Sequence, residues 1–330
     1  MKLKEKILKI LEDNRGRPVS GSQTAKQLKV SRNAVWKAVE ELRSSGIGIE
    51  AARNSGYFIP ENENSLTVQG VEAILGKSDY SIHVEDSVTS TNTILKKLAQ
   101  QGCREGYVLI ARQQTAGKGR LGRSFYSPPD SGLYLSVVLR PQMNIQDALF
   151  ITTSAAVAVS RAIETCCNHE RKARIKWVND IYLDGRKVCG ILTEAALDFE
   201  SGGLEYAVLG IGVNITPPDG DFPPELSDVA ASVFSSGKTG NLRNRLAAEI
   251  LRELSALPDG FLSDEILDEY RRRSMLTGKD VFALFKDETK PCHVLGIDDR
   301  ARLLVRFKDG TEQALSSGEV SIKPLPPQKP

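Results

Sequence analysis

The sequence predicts an α+β protein built in three segments. Three observations carry this. Helical apolar spacing followed by a short hairpin signal fills residues 1–62. Strands joined both by tight turns and by helices fill 66–272, and a run of short strands broken by Asp309-Gly310 fills 275–324.

In the first segment, Leu3, Ile7, Leu8 and Leu11 recur at helical spacing, and the run Asn14 to Pro18 stops that helix. Ser22 is placed to cap a second helix that buries Ala25 and Leu28. Ser31 is placed to cap a third, with Val35, Ala38, Val39 and Leu42 on one face. Strands at 47–52 and 57–59 flank Arg53-Asn54-Ser55-Gly56. Helix, helix, helix, hairpin is the order of a winged helix-turn-helix. Its third helix enters the DNA major groove, which makes Ser31, Arg32, Asn33 and Lys37 candidate DNA contacts, with Arg53 at the hairpin tip. Charge agrees: residues 1–60 hold 12 Lys/Arg against 6 Asp/Glu, leaving 32 against 36 for the rest. A protein-contact module with a solvated basic face fits the same pattern less well. Trp36 fits two places, over the helix packing seam or beside the backbone, with packing the favoured one.

The polar stretch Pro60 to Ser65 marks a boundary. Beyond it, strands are expected at 107–111, 132–140, 173–183, 188–195 and 206–215, and helices at 91–101, 148–166 and 242–255. Strands at 281–285, 292–296 and 303–307 suggest a small SH3-like β-barrel, followed by a disordered Pro-rich tail.

Composition excludes several classes. A charged fraction of 26% with 40% hydrophobic residues belongs to a folded globular chain. There is no continuous apolar run long enough to span a bilayer and no signal-peptide pattern at the start, so a cytoplasmic location without membrane partners is expected. Five cysteines without a Cys-x-x-Cys pair, and three histidines, argue against a disulfide framework or a protein-held metal centre.

Two motifs carry chemistry. Gly117, Gly119 and Gly122 spell Gly-x-Gly-x-x-Gly, but several residues separate them from the preceding strand. The following Ser124 to Pro129 cannot open a helix, so the dinucleotide-binding reading fails. What remains is a glycine loop with three cations, Lys118, Arg120 and Arg123, suited to closing over a phosphate. Taken alone it fits a solvated basic loop equally well.

The second motif is Ile175 to Leu183, Asp184-Gly185, then Arg186 to Leu192. Asp-Gly between β-rich runs signals a two-residue hairpin turn. Leu183 then faces Arg186, Tyr182 faces Lys187 and Asp180 faces Cys189, which puts Asp180 and Lys187 on one face as diagonal neighbours. An acid and an amine held on a stiff ribbon can act on one ligand. An ordinary cross-strand ion pair fits equally well.

Taken together, Ser90-Thr91-Asn92, Gln114, Gly117 to Arg123, Ser127-Pro128, Gly132 to Ser136, Lys176 to Asp180, Lys187 to Leu192 and Gly210 to Asn214 closely resemble the biotin–protein ligases that double as biotin operon repressors. The resemblance implies that the central segment is a ligase domain. Biotin is activated by ATP, with Mg²⁺, to biotinyl-5′-AMP and passed to a lysine on the biotin carboxyl carrier domain of a biotin-dependent carboxylase. By the family pattern Ser90, Thr91, Asn92, Gln114, Lys118, Gly119, Arg120 and Lys187 bind biotin. Lys118, Arg120, Arg123, Asn179 and Asn214 bind the nucleotide, and Lys187, Asp180 and Arg120 carry catalysis. The resemblance further implies a ligand-favoured homodimer that binds operator DNA.

Two departures stand out. Lys118 replaces a common arginine, losing a bidentate fork. No tryptophan follows the Gly-Ile-Gly-Val-Asn segment to cap adenine, which leaves Phe222 as a weak candidate. The alternatives are a biotin-sensing repressor without ligase activity and a lipoate-type transferase.

Overall fold

The computed structural model describes residues 1–198, 202–235, 240–285, 288–316 and 319–321. The Pro-rich tail therefore lies outside the described residues.

Three helices open the chain: α1 (Leu3–Asp13), α2 (Gly21–Leu28) and α3 (Arg32–Ser44). The hairpin β1 (Glu50–Ala52) and β2 (Gly56–Phe58) follows. Ile7, Leu8, Leu11, Ala25, Val35, Val39 and Leu42 close one apolar cluster, as the helical spacing predicts. Ser31 caps α3, accepting from Ala34 N at 3.1 Å. The cap of α2 is Ser20 rather than Ser22, because the helix begins at Gly21 and Ser22 falls within its first turn. Trp36 is 50% exposed, so it covers no seam.

The chain then runs α4 (Val68–Leu75), β3 (Ser81–Val88), α5 (Thr91–Gln100), β4 (Tyr107–Gln114) and β5 (Gly132–Leu139). Next come α6 (Ala148–Cys166), β6 (Arg174–Lys176), β7 (Asp180–Leu183), β8 (Arg186–Leu197) and β9 (Leu204–Asn214). Helices α7 (Pro224–Ser227), α8 (Leu242–Ser255) and α9 (Asp264–Arg273) complete this part. Its sheet has seven strands in the order β3-β4-β5-β9-β8-β7-β6, with β3 and β4 parallel across α5 and the other pairs antiparallel.

Every residue of β5 is buried, because the sheet is covered on both faces. Leu133, Leu135 and Val137 join the core built with α6 and α8, while Val138 turns the other way toward Leu95 and Ala99 of α5. The α6 stretch is long and apolar enough to cross a membrane by composition alone, yet 78% of that window is buried inside this core.

The predicted strand 173–183 folds back on itself. Strands β6 and β7 pair antiparallel, with Lys176 opposite Asp180, so Trp177-Val178-Asn179 is a turn. Trp177 and Val178 are adjacent and both buried, which a straight two-residue alternation does not allow on a one-sided strand. The register of the following hairpin is also corrected. Tyr182 faces Lys187, but Asp180 faces Gly190, because an irregularity between Ile181 and Tyr182 leaves Val188 as an extra residue on β8.

The last elements are β10 (Asp280–Phe285), β11 (Glu288–Ile297), β12 (Leu303–Phe307), β13 (Glu312–Leu315) and β14 (Glu319–Ser321), in the sheet order β13-β12-β11-β10-β14. No pairing between β13 and β14 closes this sheet into a barrel among the described residues. Trp177 Nε1 donates to Ala301 O at 3.1 Å, joining this sheet's β11–β12 connection to the β6–β7 turn. At the other end, Arg15 donates to Pro60 O and Glu63 O at 3.0 and 2.9 Å, so the polar linker is tied to α1.

Candidate active site

The strand register builds a floor of glycine. Gly212 lies beside Tyr134 and Gly190, and Gly210 lies beside Ser136 and Leu192, all on the sheet face that α5 covers in part. A Cβ at Gly210 would stand 2.1 Å from Asn92 Oδ1, and one at Gly212 would stand 2.5 Å from Phe125 Cε1. Glycine is thus required for Asn92 and Phe125 to lie directly on the sheet backbone. Above this floor is a cavity of about 590 Å³, a size suited to a small-molecule ligand.

One wall is the first turn of α5. Ser90 caps the helix, accepting from Thr93 N, and Ser90, Thr91 and Asn92 are all buried. Gln114, at the end of β4, accepts from Thr91 N at 2.9 Å and donates to Ser127 Oγ at 3.0 Å. Ser136 Oγ lies 2.6 Å from Asn92 Oδ1 and 2.7 Å from Thr91 Oγ1. The amide of Asn92 donates to Leu192 O at 3.2 Å and to Glu194 Oε2 at 3.0 Å, which leaves little of it for a ligand.

The opposite wall is the glycine loop and the β7–β8 ribbon. Lys118, Gly119, Arg120 and Arg123 line the cavity together with Asn179, Asp180 and Lys187. Lys187 Nζ is 2.6 Å from Asp180 Oδ1. Arg120 donates to Asn179 Oδ1 at 3.3 Å, and Asn179 in turn donates to Ile191 O at 2.6 Å. Tyr182 also faces the cavity, and burial together with nearby Asp180 pushes its hydroxyl up to about 12, so it stays protonated near neutral pH. The fold therefore brings the flap cations and the ribbon pair to one cavity with the α5 turn.

Asn214 is placed differently. It does not line the cavity, and its amide donates to Ala231 O at 3.1 Å. It braces the segment 229–233, which runs beside Lys187 through Lys187 N to Val229 O at 2.9 Å and Ala231 N to Lys187 O at 2.7 Å. Phe222 is also outside the lining. Sequence reasoning missed Phe125, Trp177 and Met275 as lining residues. Phe125 follows directly on the cationic loop, which was the available signal; the other two are brought in by long-range packing.

Among the described residues no group of three or more His, Cys, Asp or Glu is arranged to hold a metal ion. In the N-terminal unit, Ser31, Arg32, Asn33 and Lys37 are exposed along one side of α3, and Arg53 is exposed at the hairpin.

A cationic flap and an acid–amine ribbon lining one polar-headed cavity, with a winged helix ahead of it, define a DNA-binding enzyme that acts on an anionic small molecule. The family model described as biotin/lipoate A/B protein ligase matches residues 84–214, and a helix-turn-helix domain model matches 4–58. The bifunctional ligase/repressor BirA of Bacillus spizizenii is 30% identical over 96% of this chain and 97% of its own length. That of Escherichia coli is 30% identical over 92% of each chain. A biotin protein ligase from Aquifex aeolicus, solved in complex with biotin and ATP, matches with a TM-score of 0.56 at 25% identity, over 73% of this chain and 97% of that one. The chain belongs to the biotin/lipoate A/B protein ligase family, among its bifunctional ligase/repressors.

Proposed function

We propose that this protein activates biotin with ATP to biotinyl-5′-AMP, releasing diphosphate, and that the ε-amine of a lysine on a biotin carboxyl carrier domain then attacks the mixed anhydride, forming the amide and releasing AMP. We further propose that the loaded protein represses genes of biotin supply. The observation that carries the enzymatic reading is the shared cavity: Arg120 and Lys187 come from separate elements and line one space with Ser90, Thr91 and Gln114.

In this reading residues 1–62 bind DNA, 66–272 form the ligase domain and 275–324 form a small SH3-like domain. Ser90, Thr91, Asn92 and Gln114 surround the polar head of biotin, with Lys118 and Gly119 closing over it. Lys187 neutralises the biotin carboxylate and the α-phosphate it attacks. Arg120 stabilises charge as diphosphate departs, because cations aimed at a transferring phosphoryl group lower the barrier most in a water-poor site. Arg123 and Asn179 hold nucleotide, and Asn214 acts on it through the 229–233 segment. Asp180 receives the incoming lysine ammonium. ATP arrives with Mg²⁺ as its substrate complex; a small hard cation held mainly by substrate phosphates needs few protein carboxylates. The glycine loop shields the mixed anhydride until the carrier arrives. The loaded protein pairs as a homodimer in the cytoplasm, presenting two winged helices to a two-fold operator through Ser31, Arg32, Asn33, Lys37 and Arg53.

The test is incubation with ATP, Mg²⁺, labelled biotin and a carrier domain. Covalent label on the carrier is the expected result. Tight biotin binding without transfer would identify a pure sensor, and selective lipoate transfer would identify a lipoate-type enzyme.

A further inference from the structure

We infer that Trp36 is a specificity-determining residue of the DNA-binding arm: its indole packs on the C5-methyl group of one thymine in each half-site. This assignment rests on the DNA-binding reading above and adds to it the base that is read.

The indole has no task inside the protein. Val35, Ala38, Val39 and Leu42 supply the buried face of α3, each no more than 5% exposed, while Trp36 stands 50% exposed. Trp36 lies one helical turn beyond Arg32 on the same side, and Asn33 and Lys37 flank that pair. Ser31 fixes where the helix starts, so Trp36 belongs to the end that a winged helix puts into the groove. Around it is a shallow depression formed by Lys4, Lys37, Glu40, Glu41, Ser44 and Ser45, in which the indole is the one apolar side chain among the described residues. Glu40 is paired with Arg43 at 2.7 Å, which offsets its charge. An apolar protein partner would call for a wider apolar patch; a single flat ring among cations, in a segment with 12 Lys/Arg against 6 Asp/Glu, suits a polyanion.

Major-groove chemistry selects the contact. The hydrogen-bonding edges of purines suit Arg32 and Asn33, whereas the apolar group that a base pair shows in that groove is the thymine methyl. An indole has one donor and a broad apolar face, so the methyl is what it gains on entering the groove. Four residues of α-helix advance ~6 Å, the length of about two base pairs. The thymine therefore lies within about two base pairs of the base that Arg32 meets. Uracil keeps every hydrogen bond of the pair and lacks only the methyl, so it isolates this one contact.

The test uses the full-length protein with biotin, ATP and Mg²⁺. Sites are selected from a random pool of DNA duplexes, and each thymine of the selected site is then replaced singly by uracil. Affinities are measured for wild type, Trp36→Ala and Trp36→Gln, the second variant serving if the first does not fold. Unchanged biotin transfer and Tm show that a variant is folded. The expected result is one thymine in each half-site whose replacement weakens wild type about fourfold, the worth of one buried methyl. The same replacement should leave either variant within about 1.5-fold, because a contact already lost cannot be lost twice. Equal uracil losses in wild type and variant would overturn the inference. So would a wild type indifferent to every uracil, which would put the indole against the sugar–phosphate backbone if the variants still bind more weakly. Loss of the ligand-linked dimer in a folded variant would make the indole a subunit contact and overturn it too. A wild type that selects no site removes the DNA-binding reading itself, and the inference with it.

Discussion

Lys187 and Asp180 meet at 2.6 Å across a strand pair whose register slips by one residue between them. The slip places Gly190, not Cys189, opposite Asp180, so no side chain from that position fills the space beside the ion pair. The Lys187 stem instead lies 3.4 Å from where a Cβ at Gly190 would be. The pair is held at the cavity wall, half-buried, and further fixed by the segment 229–233 alongside.

Lys187→Ala should therefore lower the rate of diphosphate release by about 100-fold or more, the scale of losing one charge-stabilising donor. Asp180→Asn should mainly slow transfer from preformed biotinyl-5′-AMP to the carrier. Single-turnover measurement of each half-reaction checks both. Near-normal diphosphate release in Lys187→Ala would remove its assigned role.

Gly212→Ala should displace Phe125, because the new methyl would sit 2.5 Å from its ring. Overpacking of this kind costs about 1–3 kcal/mol. The ring can move toward the cavity, so the expected outcome is a biotin KM raised by about tenfold or more with a smaller loss in Tm. Enzyme kinetics beside thermal unfolding reads this out; unchanged KM would contradict the packing account.

On the DNA side, Arg32→Ala and Lys37→Ala should weaken operator binding while sparing ligation. Each lost phosphate contact lowers the slope of log affinity against log salt by about 1. Trp36, exposed on the same helix, should weaken binding as Trp36→Ala without changing that slope, because an apolar contact releases no counterions. Titrations at several salt concentrations separate these effects.

Stability should depend on a buried ion cluster joining α6 to α9. Arg273 reaches Glu164 at 2.8 Å and Glu269 at 2.8 Å, and Glu164 also accepts from Ala173 N. Burial pushes the Glu164 carboxyl up, but the hydrogen bonds from Arg273 and Ala173 prevail and hold it below its ordinary value. A depressed folded value means that this stabilisation is present above the ordinary carboxylate range and is lost as pH falls through it. Glu164→Gln should cost about 3 kcal/mol near neutral pH. In denaturant titrations the difference from wild type should shrink below about pH 4; a pH-independent difference would contradict it.

Long periodic elements were legible in the sequence because local spacing decides them. Helices α3, α6 and α8 follow their apolar stripes, and Ser31 caps as its position implies. The β6–β7 reversal was not, since Ile175 and Ile181 are buried partners only after the turn has formed. The bulge on β8 was hidden for a similar reason: Val188 and Cys189 are both fully buried, and two adjacent apolar residues do not announce which is extra. Helix α4 and strand β3 escaped notice because their burial patterns are shallow and depend on α8 and β4. At the site, the charged and glycine-rich pieces were visible as motifs. Their convergence depends on sheet order, which no local pattern encodes.

The most direct measurement is diphosphate released per chain from ATP, Mg²⁺ and biotin with no carrier present. The account predicts a burst of about one equivalent that stops until a carrier domain is added, as a shielded mixed anhydride requires. No burst with biotin, or an equal burst with lipoate, would contradict it.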